Sequence, residues 1–389
     1  MRRVAIVAGG LAKFGVRQAS YRDLISEAGK ACFDNAENVS PKDIEGYIHS
    51  STMPERFAFQ THVAPMGAET LGIKPSKMIQ RVENLCASGS CAIRTAYMAI
   101  ASGVLDVAMV LGVEKMNMPD PIEGFLHMAA APDREWDSTQ GLSAPGFFAL
   151  VAKKHMREYG TTEEQLAMVS VKNHDNSTRN PLAQFTKPVT LEQVLGGRPI
   201  ATPLKLLDCS AMTDGAAAII LASEERAREM TNKPVYIRGT GQAAGGNNLA
   251  NVLGWTTWPA LKTAAESAYK MAGITSADVD VAEIHDCFSI SEIIEYEDLG
   301  FCEKGEGGSF IAAGKSGYGG EVVVNSSGGL LGRGHPFGAT GIAQALEIFA
   351  QLRDEAGDRQ VPGAKIGLTH NLSGMSTEHT ILIYGRDQK

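Results

Sequence analysis

No stretch of the chain approaches the ~20 consecutive apolar residues that a membrane-spanning helix requires, so a membrane-embedded protein is not expected. Cysteine is scarce: Cys32, Cys86, Cys91, Cys209, Cys287 and Cys302 are scattered through 389 residues with no CxxC pair. That spacing excludes a disulfide-stapled scaffold and points to reduced thiols in the cytoplasm. A basic excess is also missing. Lys and Arg total 36 against 44 Asp and Glu, a formal charge of -8, and a chain without a basic stripe is not expected to bind nucleic acid by neutralising phosphates. Low-complexity tracts and blocks of like charge are absent too. Glycine is what the chain has in plenty: 42 residues, above the usual ~7%, implying many tight turns. At this length a substantial core can be buried.

The chain reads as one unit built twice. MRRVAIVAGGLAK opens like a secretion signal, but a similar segment, PVYIRGTGQ, recurs at 234–242, and both read as core strands. A helix over about 21–36 leads to SPKDIEGYIHS at 40–50; a helix over about 259–272 leads to SADVDVAEIHD at 276–286. Each then continues through a loop, an alanine-rich helix and an apolar strand. Runs such as VAMVLGV between helices imply buried strands covered on both faces. The expected architecture is α/β, with residues 1–114 and 208–232 forming one half and 233–389 the other. Residues 115–207, richer in turn formers and amphipathic helix, read as an inserted loop domain.

Four segments carry chemistry. Cys86 follows the strand-like KMIQRVENL and precedes a helix starting near Ser88. A helix N-terminus favours a thiolate, and Ala87, Ser88 and Gly89 leave room for a substrate. A buried structural thiol is the plainer alternative for a lone cysteine. LLGRGHPFGATG at 330–341 holds His335 on a glycine-rich loop before a helix near Ala339, where an imidazole can take a thiol proton. The loop lacks both GxGxxG and GxxxxGK[ST], so a nucleotide site is not expected. EIHDCFS and THNLSGMS follow apolar strands, so His285 and His370 are expected to emerge at strand ends, where α/β folds build sites. His285, Cys287, His335 and His370 are adequate zinc ligands, but their spacing is not that of a compact zinc module, and no metal is expected.

These segments resemble the thiolase superfamily. VENLCASGSCAIRTAYMAIASG is similar to its nucleophile segment, LLGRGHPFGATG to its Gly-His-Pro segment, and DCSAMTDGAAAIIL to the strand leaving its loop domain. His285-Asp286-Cys287-Phe288 and His370-Asn371-Leu372-Ser373-Gly374 are similar to the sterol-carrier-protein type and its archaeal and bacterial relatives, with Ser373 where that subgroup has glycine. The resemblance implies a five-layered α-β-α-β-α fold and a ping-pong acyltransferase of acyl-CoA and lipid metabolism. Cys86 carries the acyl group, His335 activates it, and the N–H groups of Cys86 and Gly374 form one oxyanion hole. His285 stands with His335 in the other, and Cys287, assisted by His370, is the second acid/base.

Coenzyme A is expected as a substrate, with no further cofactor. Contacts to it are expected from the loop domain and from GGNNLANVLGWTTW at 245–258, through Gly246, Asn247 and Trp255 or Trp258. Phe147, Phe148, Met128 and Met156 are candidates to line an acyl pocket. Among the archaeal and bacterial relatives, acetoacetyl-CoA and bulkier branched or aromatic oxoacyl-CoA esters, such as benzoylsuccinyl-CoA, are both represented. The resemblance further implies a homodimer or dimer of dimers, and in some relatives a separately encoded small zinc-ribbon and OB-fold partner. A non-catalytic acyl-CoA-binding subunit is the alternative from another functional class.

Overall fold

A run that is apolar on both faces forms a strand only where both faces are covered, and VAMVLGVEK (Val107–Lys115) is buried along its length except at its last residue. In the computed structural model, which describes residues 2–251 and 254–386, this strand lies inside a ten-stranded sheet. The first half contributes β1 (Val4–Leu11), β2 (Gly46–Ser50), β3 (Met78–Val82), β4 (Val107–Lys115) and β5 (Asp214–Ser223). The second contributes β6 (Val235–Ala244), β7 (Val281–Glu283), β8 (Val323–Val324), β9 (Ile366–Ser373) and β10 (Glu378–Gly385).

Across the sheet the order is β8-β7-β9-β10-β6-β1-β5-β4-β2-β3. Read outward from the centre, each half has its first strand, its last, its fourth, its second and its third. The pairing senses also match. The first–last and last–fourth pairs are antiparallel, and the other two parallel, in both halves. The halves meet where β1 pairs antiparallel with β6 through Ala5↔Tyr236 and Ile6↔Val235.

Helix α1 (Tyr21–Asp34), capped by a Ser20–Asp23 capping box, covers β1, β4 and β5 from outside. Helix α2 (Ser88–Ala101) packs on the inner side. The insertion holds α3 (Pro121–Met128), α4 (Ala144–Tyr159) and α5 (Glu163–Ser177), then a small hairpin of Pro199–Ala201 and Leu204–Lys205. In the second half, α6 (Pro259–Ala272), begun by a proline and closed by left-handed Gly273, covers β6 and β10. After α7 (Ser289–Asp298), α8 (Phe337–Arg353) lies beside α2 and touches strands of both halves. The result is the five-layered α-β-α-β-α arrangement, with α2 and α8 as its middle layer.

That middle layer depends on glycine. A Cβ on Gly341 would lie 2.4 Å from the Ser90 backbone nitrogen and 2.3 Å from Asn371 Oδ1, and one on Gly112 would lie 2.1 Å from Gly338 O. Only hydrogen lets the backbones approach so closely. The insertion, although it interrupts the first half, shares a core with the second: Phe147, Phe148 and Val151 of α4 and Leu166 and Val169 of α5 pack with Trp258, Ile293 and Leu372. No helix among the described residues is long and apolar enough to cross a membrane.

Substituting Gly341→Ala should therefore overpack the α2–α8 contact and cost about 1–3 kcal/mol. Urea denaturation should show a lower midpoint at unchanged slope.

Candidate active site

β3 ends at Val82, and the chain reaches α2 through a short 3-10 turn, Leu85–Ala87. Leu85 is held at φ +44°, a strained left-handed conformation for a side-chain-bearing residue. Its N–H donates to Glu83 Oε1 (2.7 Å), and its carbonyl accepts from Thr52 Oγ1 (3.0 Å) and Ser88 Oγ (2.6 Å). This turn delivers Cys86 to the α2 N-terminus, as the sequence implies. The expected lowering of its pKa does not follow. Burial pushes the Cys86 thiol up to about 12, outweighing the Gly374 N–H and its own N–H, both of which favour the thiolate. The cause is its setting: Cys86 packs against the apolar cluster of Phe57, Met116 and Phe337, a surface that disfavours charge.

His335 arrives from the other half, on the loop between Gly334 (φ +109°) and α8. Its Nδ1 lies 2.7 Å from Thr340 Oγ1, and Thr340 Oγ1 donates its hydrogen to the Pro336 carbonyl (3.0 Å). The hydroxyl can then only accept from the ring. Nδ1 carries the proton, and Nε2 presents a lone pair with no partner. Burial, then Arg333, hold His335 down to about 3, so it rests neutral and able to accept a proton.

Beyond Glu283 the chain leaves the sheet earlier than the sequence suggests. Ile284 N–H donates to Asn325 Oδ1 (2.8 Å) and not to a neighbouring strand. This brings His285 edge-on to His335, ring centres 4.9 Å apart at 84°. Its Nδ1 is 3.4 Å from Asn371 Nδ2, and its Nε2 has no partner. One ligand-type atom each from Cys86, His285 and His335 lies within 4.8 Å of the others. These are the groups placed to share a soft metal ion, which would occupy the thiol and both imidazoles at once. Cys287 is 6% exposed, with Sγ 3.6 Å from Ser291 Oγ. Its thiol is pushed up by burial and then by the nearby Cys86 thiol. Gly374 (φ +59°) makes the turn after β9 that aims its N–H at the Cys86 sulfur.

His370 departs from expectation. It sits within β9, paired with Ile381, and not at a strand end. Side chains alternate across a strand, so Asn371 faces Ser90 and His285 while His370 faces the outer layer. There its Nε2 meets His379 Nδ1 (3.0 Å) and its Nδ1 lies 3.2 Å from Glu295 Oε2. It is not gathered with Cys86. Trp258 is 1% exposed and edge-on to Phe148 in the core, and forms part of the wall of a cleft beside Gly246. Trp255 stacks on Phe147 at 5.7 Å. Phe147 and Phe148 are core residues and Met156 packs on that core, whereas Met128 does reach the Cys86 surroundings. Gly246 lines a cleft of about 260 Å³ with Ala243, Pro259, Thr263 and Ser376. Asn247 is exposed beside it, while Val252 and Leu253 of the same segment lie outside the described residues. A larger cavity of about 730 Å³, lined by Lys262, Tyr269, Cys302, Lys304 and Phe310, contains none of Cys86, His285 and His335. Size alone is the wrong guide to this site.

Two buried carboxylates were not singled out by sequence. Asp286 accepts from Leu330 N–H (2.6 Å), Leu331 N–H (3.1 Å) and Asn173 Nδ2 (2.7 Å), and is pushed up to about 8 by burial and then by Glu292. Glu114 accepts from Thr52 N–H (2.8 Å) and Gly338 N–H (2.9 Å). One from each half, they hold the two ends of the His335 loop. The signal was faint but present: an acid directly after His285 and another closing an otherwise apolar strand run.

Comparison with known proteins agrees with this geometry. Residues 4–202 match the thiolase N-terminal domain and residues 241–386 the thiolase C-terminal domain-like family. The chain is 46% identical over 387 residues to an acetyl-CoA acetyltransferase of Methanothermobacter thermautotrophicus, covering 99% of this chain and 100% of that one. It is 36% identical to human sterol carrier protein 2, covering 96% of this chain and 70% of that one. Among solved structures, the Ltp2-ChsH2(DUF35) aldolase superposes with a TM-score of 0.85 at 27% identity over 100% of this chain and 98% of that one. Human mitochondrial 3-ketoacyl-CoA thiolase shares the fold, at a TM-score of 0.77 and 18% identity over 100% of this chain and 99% of that one. The chain belongs to the thiolase family and is an acyltransferase of that family.

Proposed function

We propose that the chain cleaves or forms 3-oxoacyl-CoA esters through an acyl group carried on Cys86. The observation that supports this most directly is the convergence of the Cys86 thiol with one ring nitrogen each of His285 and His335 within 4.8 Å, the Nε2 of each ring having no hydrogen-bond partner. In cleavage, the Cys86 proton passes to His335 Nε2 as the sulfur attacks C3 of the substrate. The N–H groups of Cys86 and Gly374 hold the oxygen that becomes charged. The C2–C3 bond then breaks, its electron pair going to C2, and the resulting enolate oxygen is held by His285 and the now protonated His335. Cys287 gives its thiol proton to C2 and acetyl-CoA departs; the Cys287 thiolate then takes the proton of the CoA thiol as its sulfur attacks the thioester, and His335 returns its proton to Cys86 as that sulfur leaves. His370, on the far face of β9, has no part in these steps. A non-catalytic subunit is disfavoured because the nucleophile, the base, the donors and the second thiol are all present together.

Met53, Met116, Met118, Met128 and Met212, which belong to or pack on the same apolar cluster as Cys86, support an acyl group larger than acetyl, because methionine repacks around varied shapes at little cost. The cleft beside Gly246 and Ser376 supports entry of the CoA arm from that side. No cofactor beyond CoA as substrate is required by these steps. The likeness to the Ltp2-ChsH2(DUF35) aldolase supports a small partner subunit. Six free thiols support a reducing, cytoplasmic setting, and an oligomer of the chain is part of the same reading.

Incubated with a panel of 3-oxoacyl-CoA esters from acetoacetyl-CoA upward, the protein should gain the acyl mass and lose it on adding CoA, with bulkier apolar esters preferred. Cys86→Ala should gain no mass; acylation of that variant would remove Cys86 from its role. Cys287→Ala should still accept an acyl group from a simple acyl-CoA while C–C cleavage falls by about two to four orders of magnitude. Unchanged cleavage would take Cys287 out of the mechanism.

The neutral thiol–imidazole pair has its own signature. With the thiol at about 12 and the imidazole at about 3, the thiolate fraction rises with pH throughout the range between them. Alkylation of Cys86 by iodoacetamide should therefore rise nearly tenfold per pH unit from pH 6 to 9. A plateau over that interval would show a preformed thiolate–imidazolium pair.

A further inference from the structure

The two catalytic histidines have the same side chain and opposite duties, one supplying a lone pair and the other an N–H, and the fold must enforce the difference. For His335, Thr340 does so. For His285 the enforcing chain is longer and begins at α8. Gln344, fully buried, directs Nε2 at two backbone carbonyls, Ile284 O (3.1 Å) and His370 O (3.3 Å). A carbonyl accepts only, so that end of the amide must be the NH2 and the other end the oxygen. Gln344 Oε1 then faces Asn371, which must turn its own NH2 toward it. Asn371 Oδ1 is occupied by the Ser90 hydroxyl at 2.8 Å, consistent with the same orientation. The Asn371 NH2, which also donates to the His370 carbonyl (3.1 Å), thus faces His285 Nδ1 (3.4 Å), where a ring N–H would meet another N–H, so Nδ1 is left unprotonated. The proton on the His285 ring is left on Nε2, which has no partner, in a ring gathered with Cys86 and His335.

We propose that Gln344 and Asn371 are positioning residues that fix His285 as the Nε2–H tautomer, making it an oxyanion donor at neutral charge. Neither touches the reacting atoms. The proposal rests on the acyl-transfer reading of the site and adds to it the residues that set apart two chemically identical side chains. It also accounts for Asn371 lying on the catalytic face of β9 while its neighbour His370 does not. The other ionisable groups near enough to act on His285 are His335 and Arg333 from the glycine-rich loop, His370 and His379 from the far faces of β9 and β10, Glu295 from α7, which accepts its backbone N–H (2.7 Å), and the Cys86 thiol. Glu295 contacts the backbone and not the ring, so the tautomer is left to Asn371.

The test replaces the donor by an acceptor of the same shape. In Asn371→Asp a carboxylate oxygen draws the proton to Nδ1, and Nε2 carries hydrogen only when the ring is protonated. Single-turnover cleavage by folded N371D should be about a hundredfold slower than wild type at pH 8, the usual loss for one oxyanion donor. The ratio to wild type should recover as pH falls toward 6. A variant as active as wild type, or with a deficit equal at every pH, overturns the proposal. The second measurement needs no variant enzyme activity: two-bond nitrogen–hydrogen NMR correlation on wild-type protein labelled with ¹⁵N-histidine, with the His285 resonance assigned by its loss in H285Q. An Nε2–H ring at His285 supports the assignment, and an Nδ1–H ring overturns it even if N371D does not fold. Should wild type form no acyl-enzyme, the functional reading fails while the NMR result still decides this one.

Discussion

Backbone-to-backbone contact between α2 and α8 governs everything else about the site. Each helix begins at a catalytic loop, and each belongs to a different half. Cys86 and His335 can share one pocket only because Gly89, Gly112, Gly338 and Gly341 let the two helix starts and β4 approach to distances that no side chain would permit. The buried carboxylates Glu114 and Asp286 then hold the His335 loop from its two ends. Thr340 and Gln344, both on α8, orient the rings that result. A contact made of missing atoms thus sets the positions of the groups that are present.

How the halves use the same pattern differently is instructive. The sequence repeats Ile-His at the end of the second strand of each half. In the first, His49 remains in β2 and is buried between Tyr21 (2.9 Å) and Tyr47 (3.1 Å). In the second, the ladder stops at Glu283 because Asn325 takes the next N–H, and His285 swings into the site. The duplication, and the meeting of Cys86 with His335 from the opposite half, were legible from motif and period. What was not legible depends on burial and on facing. The apolar setting of Cys86 reverses the effect anticipated from a helix N-terminus. The strand register turns His370 away from the nucleophile while turning Asn371 toward it. Trp258 looked like a ligand platform in a glycine- and asparagine-rich segment, but its ring neighbours, Phe148 and His379, come from elements distant in sequence.

The electrostatics of the site follow from its dryness. Cys86, His285, Cys287 and His335 all have their charged forms disfavoured by burial, so the resting site is neutral throughout. Fixed donors aimed at a place where charge develops are worth most in such surroundings. A neutral resting state also leaves no thiolate exposed to oxidants between turnovers.

The insertion belongs to the first half by connectivity and to the second by packing. During synthesis this imposes an order. Phe147, Phe148, Leu166 and Val169 leave the ribosome long before Trp258, Ile293 and Leu372, against which they pack. At the usual elongation rate of about 5–20 residues per second, the nascent chain carries that apolar surface unburied for several seconds or more. The insertion cannot bury this surface ahead of the second half, and the chain's need for a holding chaperone should peak while residues from about 180 to 380 are being made.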